Sequence, residues 1–264
     1  MKFLLVILFS LCLFLYPPTV SATSQQAYQD YQYQFSVYRQ RLSDYQVALN
    51  QYKQFKSLAS QQDVLEKVKL HIAQRGNVAK TYFLFLNEKI TENPGMLASE
   101  KQTYRAILTN QIAFIDQHLV LAPSIASLDD AQDVSEKFET NYEIMQSAYR
   151  QIISALELGY LNYFSKQFDD AATHAQALIS ASRTDSSPQK QGILDRWLLA
   201  LSNKHSLFQQ TANNIRATIP KITGDVQQQE RIFQQLQGTV NAARQDLVES
   251  AAYLKELETA LKYD

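Results

Sequence analysis

Residues 28–58 read YQDYQYQFSVYRQRLSDYQVALNQYKQFKSL, and their spacing decides the fold. Tyr28, Phe35, Leu42 and Leu49 recur every seven residues, and Tyr31, Tyr38, Tyr45 and Tyr52 form a second series offset by three. Apolar side chains spaced this way fall on one stripe of an α-helix, whereas on a strand they would scatter over both faces. The stretch is therefore helix, with one narrow seam to bury against other helices. Tyrosine at every second-series position allows the ring to pack while the hydroxyl reaches the edge of the bundle.

Outward from that seam, the chain is poor in breakers, with six glycines and six prolines in 264 residues. Asn93-Pro94-Gly95, Pro123, Ser187-Pro188 and Pro220 divide it into long segments, none with the alternation of a strand. The expected fold class is all-α: about six long helices in an elongated antiparallel bundle. The first covers about 25–56. A turn over Ser60–Asp63, with Asp63 capping and Glu66 completing the box, starts the second, which runs to about 92; a continuous helix through 57–63 is the alternative. Its seam is Leu65, Val68, Ile72, Ala79, Tyr82 and Leu86. The third covers about 98–121, with Tyr104, Leu108, Gln111 and Ile115 inward. The fourth, about 127–182, is the longest, on the order of 80 Å at 1.5 Å per residue. Its expected seam runs through Val134, Phe138, Met145, Tyr149, Ile152 and Leu156, then Tyr160, Tyr163, Phe168 and Leu178, with Gly159 as a point of bending. A loop over 183–192, a fifth helix over about 188–219 and a sixth over about 225–262 complete the chain. This gives two bundles sharing one long central helix, 23–158 and 159–264.

Residues 1–22 carry the marks of an export signal. Lys2 precedes the apolar run Phe3–Tyr16, Pro17-Pro18 break it, and Val20-Ser21-Ala22 is a small-residue cleavage site. The run is shorter than the about 20 residues a spanning helix needs, so cleavage after Ala22 is expected, with an uncleaved N-terminal anchor as the alternative. Cys12, the one cysteine, would leave with the leader, so no disulfide is expected. The protein is expected to be extracellular, surface-bound or periplasmic, with no membrane span after cleavage.

Charge excludes some functions. The chain has 25 basic and 26 acidic residues with no block of either sign. Nucleic acid needs a basic stripe to neutralise phosphates, and none is present. The residues three before His71, His118, His174 and His205 are Val68, Ile115, Ala171 and Ser202, so the Glu-x-x-His pairs of helical dimetal sites are missing. No nucleophile elbow, phosphate loop or dinucleotide fingerprint occurs. No catalytic residue, cofactor or metal is expected. Asp129, Asp130, Asp133 and Glu136 stand at the start of the fourth helix, where the helix dipole favours acids, and read as structural.

Residues 28–58 also resemble a group of exported helical proteins of small-genome, candidate-phylum bacteria. The resemblance covers the leader, the Tyr-rich first helix and the start of the second. It implies export and a helical fold and carries no activity.

The expected function is that of a non-enzymatic scaffold or interaction protein at the cell envelope, working through a protein partner or self-association. The alternative is a ligand-binding module in which Tyr38, Tyr45, Tyr52 and Tyr82 line a groove for a glycan or small amphiphile.

Overall fold

The computed structural model describes residues 23–182 and 187–262; the expected leader and residues 183–186 of the expected loop lie outside them. Among the described residues there are six α-helices and no strand. They are α1 (Ser24–Phe55), α2 (Leu58–Glu92), α3 (Ala98–Leu121), α4 (Leu128–Ser182), α5 (Pro188–Thr218) and α6 (Val226–Lys262), with short 3-10 turns at Ala122–Ser124 and Ile219–Lys221.

The α1–α2 turn comes earlier than Ser60–Asp63. Lys56 takes the left-handed conformation (φ 49°), and its N–H donates to the Tyr52 carbonyl at 2.9 Å. Ser57 then caps α2: its hydroxyl accepts from the Ser60 N–H at 3.2 Å, and the Ser60 hydroxyl accepts from the Ser57 N–H at 3.1 Å. A Ser–Ser pair thus does the work expected of Asp63 and Glu66, and Glu66 pairs with Lys69 one turn on. Gly192 likewise lies inside α5, which starts at Pro188 behind the Ser187 cap.

α2, α3 and the first half of α4 form one bundle, with α1 lying along α2 on its outside. The second half of α4 packs with α5 and α6. The core does not break at 158/159: one apolar cluster contains Leu86 of α2, Leu108 of α3, Ile152 and Leu161 of α4, Phe208 of α5 and Leu236 of α6. Smaller clusters close the two ends, around Ile72 and Val134 and around Phe168, Leu201 and Leu257.

Gly159 does not break α4, which is one continuous helix; its missing side chain admits the α2–α3 turn. A Cβ at Gly159 would overlap the Asn93 amide oxygen, and one at Gly95 would overlap the Gly159 carbonyl oxygen. Nearer the start of α4, the Ser147 hydroxyl and the Gln151 amide (3.1 Å) donate to the Ile222 carbonyl, docking the α5–α6 turn on α4. Buried Arg150 reaches Glu230 at 2.6 Å and Gln229 at 3.2 Å.

Beyond Gly159 the expected seam of α4 is corrected. Phe168 is buried, but Tyr160, Tyr163 and Leu178 are exposed. α5 and α6 cover a neighbouring stripe instead: Leu158, Leu161, Ser165, Phe168, Ala172, Ala175 and Ile179. Both stripes keep three-and-four spacing, and only one is covered by the chain itself.

Candidate functional site

α1 does not complete a four-helix bundle. It packs along α2 and makes no extended contact with α4, so a trench remains between α1 and α4 with α2 as its floor. Three stripes of helical spacing line it: Tyr31, Tyr38 and Tyr45 from α1; His71, Arg75, Ala79 and Tyr82 from α2; Ser135, Phe138, Tyr142, Met145 and Tyr149 from α4. An aromatic cavity of about 410 Å³ occupies one part and a cavity of about 440 Å³ the other, and both are lined by Arg75 and Glu139.

The expected tyrosines separate here. Tyr38 and Tyr82 line the same cavity, and Tyr45 lines the adjoining one. Tyr52 lines neither. The hairpin register sets Tyr45 beside His71 and Tyr31 beside Tyr82, so Tyr52 lies past the start of α4, where the trench has lost its second wall.

The rings pack without being swallowed. Tyr31 meets Tyr82 at 5.2 Å, and Tyr82 meets Tyr149 edge-on at 6.1 Å, joining all three helices. The His71 ring stacks on Tyr38 at 5.1 Å and on Tyr45 at 5.6 Å. Tyr31, Tyr38, Tyr45 and Tyr52 are half-buried, whereas Tyr28 and Phe35 of the other expected seam series are exposed, and α1 fully buries only Ser24, Ala27 and Ala48.

One cation sits at the junction. The Arg75 guanidinium lies 4.3 Å above the Phe138 ring, donates to the Ser135 hydroxyl at 3.1 Å and reaches Glu139 at 3.4 Å. Its Nε is buried without a hydrogen-bond partner, as is Nδ1 of His71. Burial, then the charge of Arg75, lowers the pKa of His71, which favours the neutral imidazole. Burial pushes the Tyr82 phenol up to about 12, with the neighbouring Tyr31 and Tyr149 hydroxyls adding to it. The trench thus offers planar faces, a mostly apolar lining and one cation, a set suited to recognition.

Arg75 escaped the sequence reading. Its signal was position: four residues after His71 and seven before Tyr82, it shares their stripe.

Among the described residues no group of three His, Cys, Asp or Glu is placed to hold a metal ion, and no helix is long and apolar enough to cross a membrane. No protein-family model, curated protein or solved structure matches the chain.

Proposed function

We propose that this chain is an exported, non-enzymatic helical interaction protein that works by protein–protein contact at the cell envelope or surface. The observation that carries the reading is the amount of apolar helix the chain leaves uncovered. Val47 (55 % exposed) and Phe55 (64 %) stand on α1, Phe164 (55 %) on α4 and Val248 (57 %) on α6. Single exposed apolar residues are ordinary, but Phe164 and Val248 line one groove between α4 and α6 with Tyr160 and Leu247, and gathered apolar stripes of this kind are what partner surfaces look like. The leader read at 1–22 supports export. The test is affinity purification with an envelope extract, comparing the native chain with one carrying V47S and F55S. A saturable complex weakened by those substitutions supports the reading; the absence of any stoichiometric complex, together with a strictly monomeric chain, defeats it.

A second reading is favoured by the meeting of Tyr38, Tyr82 and Arg75 in one cavity. There a small amphiphile or glycan stacks on the tyrosines while an anionic or hydroxyl group meets the Arg75 guanidinium in the cavity wall. Tyrosine difference absorbance on titration with dodecanoate or with a neutral oligosaccharide tests it. A saturable signal lost in Tyr82→Ala supports the site; a flat trace with both probes removes it.

A further inference from the structure

We propose that the uncovered α4/α6 face is a homodimer interface, in which two copies pack antiparallel about a two-fold axis at the level of Ala171 and Ala251. The inference rests on the protein–protein reading above and names its partner: a second copy of this chain.

The face is a groove between two parallel helices in register. Arg150 pairs with Glu230, and Gln237 donates to Glu157 at 2.7 Å, so each α4 position stands beside the α6 position about eighty residues later. Two adjoining cavities, about 580 and 390 Å³, share Ala171, Ala251 and Leu254 and make the groove continuous. α4 presents Tyr160, Phe164, Gln167, Ala171, His174 and Leu178 to it. α6 presents Arg244, Val248, Ala251, Lys255 and Glu258. Both runs step by four and three, the spacing of a coiled-coil seam. α5 covers the other side of this pair, so the unit is a bundle lacking its facing layer. A face about 30 Å long and about 20 Å, or two helix diameters, wide approaches the area a stable dimer buries on each copy.

The order of residues along the groove selects the occupant and its direction. A two-fold axis lying in the face, at right angles to the helices, sets α4 on α4 and α6 on α6 of the second copy. On α6, Arg244 and Glu258 lie seven residues either side of Ala251, so each arginine meets the other copy's glutamate. Val248 meets Leu254, the Lys255 stem lies over Leu247, and Ala251 meets itself, where a small side chain permits close approach. On α4, Phe164 and Leu178 lie seven either side of Ala171 and meet each other. Phe164 with Leu178 and Val248 with Leu254 thus set apolar against apolar, and Arg244 with Glu258 sets opposite charges together, each twice over by symmetry. Parallel packing fails this check: it sets α4 against α6 and places Arg244 on Phe164 and Glu258 on Leu178, desolvating charge against apolar groups.

The test is sedimentation equilibrium of the purified full chain carrying Cys12→Ser, with single and paired charge reversals. The expected result is a dimer for the parent. R244E and E258R should each weaken it by about 10-fold or more, and the double variant should return to near the parent value. A251C should oxidise to a covalent dimer, while cysteine at Ser202 on exposed α5 should not. These positions are exposed, so far-UV circular dichroism should be unchanged. A parent that stays monomeric at ~100 µM overturns the proposal, and so does a dimer indifferent to both reversals and to A251C. Either result leaves the broader reading standing if the envelope complex of the preceding test still forms.

Discussion

The Asn93 amide donates to the main-chain oxygen of Leu156 at 2.8 Å from a fully buried position. Its oxygen meanwhile accepts from the N–H groups of Gly95 and Met96 at 3.1 Å each. One side chain therefore shapes the α2–α3 turn and fastens it to the middle of α4. Asn93→Ala is expected to leave two buried N–H groups unpaired and cost about 2–3 kcal/mol. Urea unfolding of the variant checks it.

Helix propensity and packing disagree at Gly159. Alanine favours a helix interior by about 1 kcal/mol over glycine. At 159 the added Cβ would overlap Asn93 and press on Met96, and overpacking of this kind costs about 1–3 kcal/mol. Gly159→Ala is thus expected to destabilise. Gly238→Ala, where nothing lies within 4 Å, should stabilise by about 0.5–1 kcal/mol. The opposite signs should appear in the urea midpoints.

Acid should loosen the protein through His118. This buried imidazole lies 4.8 Å from the Phe138 ring and leaves both nitrogens unpartnered. Burial, then the charge of Arg75, lowers its pKa to about 4. The unfolded chain takes up its proton near 6.5, so this stability is complete above that pH and is lost as pH falls toward 4. Discounted for solvent screening, the effect is about 2 kcal/mol. His118→Leu should flatten stability over that window with little change at neutral pH; thermal melts at pH 7 and pH 4.5 decide it.

Alkali should act through Tyr82 and Tyr104, both raised to about 12 by burial. A raised phenol contributes stability that is intact below 10 and disappears as pH climbs through 12. Phenylalanine has no proton to lose, so Tyr82→Phe with Tyr104→Phe should move the alkaline unfolding midpoint upward, as followed by circular dichroism.

One core runs from α2 to α6, so the two halves should unfold together. Trp197, the single tryptophan, lies 5.5 Å from Tyr253 and reports on the far end of the α4–α6 half. Its fluorescence and the far-UV signal should share one urea midpoint; separate midpoints would mean that the Ile152–Phe208–Leu236 packing fails to couple them.

Helix type and order were legible because heptads and breakers are local signals. What escaped depends on partners. The Ser57–Ser60 cap looked like ordinary polar sequence beside the more conspicuous Asp63 and Glu66. Tyr160 and Leu178 keep the spacing of a seam, but nothing local says that α5 and α6 cover the neighbouring stripe. Gly159 reads as a point of bending, and its part in admitting the α2–α3 turn shows only once Asn93 is seen against it. Of the trench, the α1 tyrosines were visible in the repeat, whereas the role of Arg75 depends on Phe138 and Glu139 of α4 lying across it, and the loss of Tyr52 follows from where α4 begins.

The central claim is that the uncovered apolar faces meet protein. A photoreactive residue placed at Val47, at Val248 or, as a control, at exposed Gln210 on α5 tests it directly in cells that express the chain. The account predicts discrete adducts of protein mass at Val47 and Val248 and none at Gln210. No adduct at any position, or the same diffuse labelling at all three, would contradict it.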